Sequence, residues 1–257
     1  QVSSAASDVY KRQVFGKRIG LDYEGLTGIE DLYRYLSFEK FISLCETSSH
    51  VFAQPSAWVD PWENAVPKLL NPTESINFSQ IPRGFYENVF MSCWSLLEES
   101  EAMWQIYSPN CNGVKITINL SSFDFLHGTT ELFARKVQYY QDLDELCALH
   151  NELRSNETAL HEMTLKRKLF EHEQEVRFMS SYAAVDKTCI KGSTSKSKNP
   201  TDIALFSFDV AKHIKEVVVD PRISSWEFDA LSSYCKRVLP STLFRKSDVY
   251  DPMHSYW

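Results

Sequence analysis

The sequence predicts an α+β fold in which mixed or antiparallel sheets are flanked by helices. Three observations predict it. Strand-type alternation is cleanest at Val114, Ile116, Ile118 and Leu120, with Lys115, Thr117 and Asn119 between them. Helical stripes are interspersed with such runs, as at Phe38, Phe41, Ile42 and Cys45. Only eight glycines are present, with no glycine-rich phosphate loop, which argues against a doubly wound nucleotide fold. Residues 30–257 are expected to form one domain behind a flexible lead, 1–29. Within that lead, Gln1–Gln13 resembles read-through of a sequencing adaptor in assembled environmental sequence and is set aside.

The elements are expected in the following order. Leu32–Leu36 alternates as a strand, with Tyr33 and Tyr35 on one face and Arg34 beside two leucines on the other. An arginine so placed either snorkels at a sheet edge or anchors a buried anion. Ser37 caps the helix that follows. Val51–Ala53 is a short strand ending at Pro55. Trp58–Glu63 is an aromatic turn carrying Asp60, Trp62 and Glu63, and 64–88 is irregular. Val89–Ser95 reads as a buried strand. Ser100 caps a helix bearing Met103, Trp104 and Tyr107.

Beyond Gly113 and the strand to Leu120, Val137–Tyr140 is a strand. Two helices are expected at Asp142–Arg154 and Glu157–Leu169. Lys191–Pro200 is a basic loop by composition. Ile203–Phe208 and Glu216–Val219 are strands. Ser225 caps a helix bearing Leu231, Tyr234, Cys235 and Val238, and Thr242–Tyr250 forms a last strand.

Composition narrows the function classes. The formal net charge is −7, which disfavours broad nucleic-acid binding. No apolar run approaches the roughly 20 residues that span a bilayer, so no membrane role is expected. Six cysteines without a C-x-x-C pair read as reduced thiols in a cytoplasmic protein. His161-Glu162 is followed by Leu165, so the zinc-protease H-E-x-x-H pattern is absent and no metal is expected.

Phe170–Phe178 carries the candidate chemistry. As a strand it sends Glu173, Glu175 and Arg177 to one face, about 7 Å apart. Carboxylates that close raise each other's cost of ionisation, and the guanidinium lowers it. The ordinary reading is a solvated strand face with a surface ion pair.

Several pieces in order, Y-R-Y (33–35), D-P-W-E (60–63), M-S-C-W-S (91–95), M-W-x-x-Y (103–107), G-V-x-I-x-I (113–118) and F-x-H-E-x-E-x-R (170–177), resemble a bacterial family, domain of unknown function 2971. The element order is also similar to the ADP-ribosyltransferase fold of Arg–Ser–Glu type. That resemblance implies NAD as substrate. Arg34 would grip its phosphates, and Ser92 with Ser95 would build the nicotinamide pocket. Glu175 would stabilise the ribosyl cation, with Glu173 on the acceptor side. Tyr33, Trp104, Tyr107 and Arg177 complete the cofactor set; Asp60, Trp62 and Glu63 are further cleft candidates. The acceptor would be water, a protein or a nucleic acid.

Two alternatives stand beside this NAD-consuming reading. One is a magnesium-dependent nuclease using Asp60, Glu63, Glu173 and Glu175. The net charge and the absence of a lysine beside the glutamate strand weigh against it. The other is a non-catalytic ligand-sensing or interaction domain in a bacterial defence or toxin system.

Overall fold

The computed structural model describes residues 20–22, 26–55, 89–125, 131–154, 161–181, 185–192 and 202–251. The expectations for 1–13, for the aromatic turn 58–63, for the irregular stretch 64–88 and for most of the basic loop lie outside the described residues.

In chain order the strands are β1 (Gly20–Asp22), β2 (Asp31–Leu36), β3 (Ser49–Ala53), β4 (Val89–Ser95), β5 (Val114–Asn119) and β6 (Glu131–Lys136). Next come β7 (Gln138–Tyr140), β8 (Leu165–Arg167), β9 (Glu175–Ser181) and β10 (Ile190–Gly192). The last are β11 (Asp202–Ser207), β12 (Ile214–Val219) and β13 (Leu243–Lys246). The α-helices are α1 (Phe38–Thr47), α2 (Glu101–Tyr107), α3 (Leu143–Arg154), α4 (Val210–His213) and α5 (Ser225–Val238). Strand pairing is mixed and mostly antiparallel, and with the helices it defines an α+β protein.

The chain divides into two compact units. The first holds the described residues of 1–27, 51–93 and 128–205, and the second those of 28–50, 94–127 and 206–257. In the first unit β6 lies between β1, parallel to it, and β9, antiparallel to it. Strand β9 also neighbours β4, and β7 pairs with β8 in parallel. All seven residues of β9 are buried, so both of its faces are covered. That placement excludes the ordinary reading of a solvated face at Glu175 and Arg177.

In the second unit β5 pairs antiparallel with β2 and β12, and β13 runs parallel to β12. A parallel pair needs a crossover, and α5 supplies it. Leu32, Ile116, Ile118, Val217 and Val219 are wholly buried on one face, as the alternation in β2 and β5 predicts. Tyr35, Met103, Trp104 and Val218 form a cluster where α2 meets the other face. Helix α1 starts as expected, with the Ser37 hydroxyl accepting from the Lys40 N–H. At α5 the cap is Ser224, not Ser225. Ser224 is extended (φ −68°, ψ 152°), as Ser37 is (φ −64°, ψ 157°), and it accepts from the Glu227 N–H, the start of a capping box. Ser100 occupies the cap position of α2, but its side chain makes no cap bond. Its N–H instead donates to the Tyr35 hydroxyl at 3.1 Å.

The expected helix over 157–169 is not formed in its described part. A 3-10 turn spans His161–Thr164, β8 follows, and a second 3-10 turn spans Lys168–Glu173. Charge-rich sequence favours helix only weakly, and burial of Met163 and Leu165 beside a strand partner overrides it. The final strand is also shorter than expected, four residues from Leu243. Strand β6 has no counterpart in the sequence expectation.

Gly113 opens β5 in a space that admits no side chain. A Cβ there would lie 2.8 Å from the Ser108 Cβ and Oγ and 3.0 Å from the Leu36 carbonyl oxygen. The glycine N–H also donates to Ser108 Oγ at 2.8 Å. Gly113→Ala is expected to destabilise the protein by about 1–3 kcal/mol through this overpacking. Urea denaturation checks it, and an unchanged midpoint would contradict the packing described.

Candidate functional site

The residues that the sequence singled out at 173–177 do come together, but not on one strand face. Lys168–Glu173 closes as a 3-10 turn, and Gln174 adopts the left-handed conformation (φ 42°). Strand β9 starts only at Glu175. The expectation that Glu173 shares a strand face with Glu175 is therefore corrected. A non-glycine residue in that backbone region is uncommon and reverses the chain direction locally. The reversal brings Glu173 back toward β8.

There both carboxylates meet one ammonium. Lys166 Nζ donates to Glu173 Oε2 at 2.7 Å and to Glu175 Oε2 at 3.0 Å. Arg177 Nε donates to Glu175 Oε1 at 2.8 Å, and Nη2 donates to Oε2 at 3.1 Å, a two-pronged grip. The third nitrogen, Nη1, donates to the Met163 carbonyl at 2.5 Å. Lys166, Glu173 and Glu175 are buried, and Arg177 has no exposure at all. Two carboxylates and two basic side chains thus meet in one buried cluster.

The main chain is tied to the same point. The Glu175 N–H donates to the Tyr139 hydroxyl at 2.9 Å, and its carbonyl accepts from the Val137 N–H at 2.8 Å. The Phe170 ring packs under both Lys166 Nζ (4.7 Å to the centroid) and the Arg167 guanidinium (5.5 Å). Burial pushes the Glu175 carboxyl upward. The charges of Arg177 and Lys166, with hydrogen bonds from Arg177 and the Cys93 thiol, overcome this and hold it down at about 2. Burial pushes the Tyr139 phenol up to about 12. The cluster therefore keeps one carboxylate ionised in surroundings where a lone charge would be neutralised.

Lys166 is the participant that sequence reasoning missed. It fell inside the expected helix, where a lysine reads as solvated. The expectation of no lysine beside the glutamates is corrected, since the chain brings one from β8. Ser92 is buried in β4 of the same unit, next to Cys93 in sequence.

The remaining described candidates lie in the second unit. Arg34 Nη1 is 3.1 Å from His50 Nε2, and its guanidinium stacks over the Trp94 ring at 5.6 Å. Burial and then the Arg34 charge hold His50 well below the ordinary histidine range, so it is neutral and accepts. Ser95 Oγ accepts from the Leu97 N–H at 3.0 Å, shaping the turn after β4. Trp104 is wholly buried; its indole N–H donates to Glu99 at 2.9 Å and its ring meets Tyr35 edge-on at 4.8 Å. Tyr107 is exposed, and the half-buried Tyr33 ring lies 5.2 Å from Lys115 Nζ. Asp60, Trp62 and Glu63 lie outside the described residues. Among the described residues, no group of three or more His, Cys, Asp or Glu side chains is arranged to hold a metal ion. No described helix is long and apolar enough to cross a membrane.

The model of a family described as "Protein of unknown function (DUF2971)" matches residues 103–178. The match supports the family likeness and spans most of α2, all of β5 and the whole Lys166–Arg177 cluster. No curated protein and no solved structure matches the chain.

Removing one member of a buried ion cluster leaves its partners uncompensated, which typically costs about 3–5 kcal/mol. Lys166→Met is expected to lose stability on that scale at pH 7, by denaturant melts. Because the folded Glu175 titrates below its unfolded value, its contribution is fully present above the unfolded carboxylate pKa of about 4.3. It is lost as pH falls toward about 2. Wild-type stability should therefore decline through that acid window. A Lys166→Met loss under about 1 kcal/mol would place the cluster in solvent.

Proposed function

We propose that the first unit carries a carboxylate-centred site that consumes NAD, as an ADP-ribosyltransferase-like transferase or an NAD glycohydrolase. The observation that carries this reading is Glu175, ionised at neutral pH in buried surroundings by Arg177 and Lys166. Cleaving the nicotinamide–ribose bond builds positive charge on the ribose. A preorganised anion of low local dielectric stabilises that charge more than water does. Nicotinamide leaves with the bonding electron pair and becomes neutral. Water or an acceptor nucleophile attacks the ribosyl carbon and loses a proton. Glu173, tethered to the same Lys166 ammonium, orients that nucleophile and takes the proton. The element order similar to ADP-ribosyltransferases supports the reading by analogy only.

One observation favours a second reading, a non-catalytic ligand-sensing or interaction domain. Both Glu175 oxygens already accept hydrogen bonds from Arg177, and Arg177 is fully enclosed. An ion cluster paired this completely also serves as a purely structural core.

Nicotinamide release from NAD, with thermal midpoints in parallel, separates the two. The enzyme reading expects Glu175→Gln to slow release roughly a hundred- to thousandfold, about 3–4 kcal/mol in the barrier. Glu173→Gln should impair transfer to an acceptor more than hydrolysis while the protein stays folded. No nicotinamide release by wild type, with no stabilisation by NAD, would leave the second reading.

A further inference from the structure

The second unit holds a pocket lined by none of the candidate site residues described above. Helices α1 and α5 and the turn before Gly113 border an open pocket of about 230 Å³, lined largely by apolar side chains including Phe38, Ile42, Trp226 and Leu231. Two of these rings are presented to solvent, Phe38 at 37% and Trp226 at 71% exposure. Both rings thus present aromatic faces at the pocket. Tyr234 contributes its ring, because its hydroxyl is engaged as a donor to Glu46 Oε1 at 2.6 Å.

Apart from that hydroxyl and the Trp226 indole N–H, the polar lining side chains are Asn112 and Glu227. Glu227 Oε2 accepts from the Ser224 hydroxyl at 2.5 Å, which fixes the carboxylate. Its other oxygen is left to accept from a ligand. No lysine or arginine lines the cavity. An anion would therefore meet a carboxylate with no compensating cation. An organic cation would meet a fixed carboxylate together with aromatic faces, the combination that recognises ammonium groups.

We propose that this pocket binds a small organic ammonium ion with an aromatic or branched apolar body. The body fills the space between Phe38, Ile42 and Leu231, and the ammonium lies between Glu227 and the Trp226 ring. The cavity volume suits a single-ring ligand rather than a nucleotide or a peptide. The site is independent of the NAD reading.

Phenethylammonium is the test probe, with 2-phenylethanol as its neutral counterpart and phenylacetate as its charge-reversed one. Binding is read by indole fluorescence and by calorimetry on the full chain. The ammonium is expected to bind about tenfold or more tightly than the alcohol, and phenylacetate not to bind. Glu227→Gln keeps the hydrogen bond from Ser224 and should erase that preference. Ala230→Trp, at an exposed helix position on the pocket lining, should block the cavity and abolish binding without unfolding the protein. Equal affinity for the three probes, no binding of phenethylammonium, or binding that survives Ala230→Trp would each overturn the proposal.

Discussion

One ammonium group, Lys166 Nζ, is shared by two buried carboxylates, and much of the first unit is arranged to make that sharing possible. Strand β8 is only three residues long, yet it places Lys166 beside the start of β9. The left-handed Gln174 turns Glu173 back to meet it. Tyr139, from the partner strand of β8, fixes the Glu175 main chain. Burying any of these four charges alone would cost several kcal/mol. Buried together, they offset one another, and Arg177 Nη1 donates further to the Met163 carbonyl.

The second unit solves a smaller version of the same problem. Arg34 lies on a strand face with Leu32 and Leu36, the apolar side of β2. It keeps its charge by stacking on Trp94 and donating to His50. The same charge keeps His50 neutral, so the pair carries one positive charge rather than two. Of the two uses that the sequence suggested for this arginine, neither snorkelling nor anion binding is needed to account for these contacts. On the opposite face, Lys115 is fully buried and donates to the Glu98 carbonyl at 2.9 Å.

What was legible in the sequence followed periodicity. Strands β2, β4, β5 and β12 and helices α1, α3 and α5 carry alternation or stripes long enough to be read locally. Glu173, Glu175 and Arg177 were legible as a group because charges so close in sequence must interact. Lys166 was not. Its partners lie seven and nine residues on, across a turn whose left-handed residue is a glutamine rather than a glycine. A three-residue strand such as β8 has too few positions to show a period. Likewise, the difference between a solvated charge row and a buried quartet depends on what covers β9, which no local pattern in β9 records. Ser224 and Ser225 show the limit at caps, where two adjacent serines offer equal side chains and only backbone conformation chooses between them.

Lys166 and Arg177 hold Glu175 ionised inside the protein. Carbon-detected NMR of the side-chain carboxyls, followed through an acid titration, measures this directly. Glu175 is expected to titrate at about 2 in the wild-type protein. A higher value is expected in Lys166→Met, where one of the two cations is gone. A Glu175 carboxyl that titrates near 4.3, the ordinary glutamate value, and does not respond to Lys166→Met would contradict it.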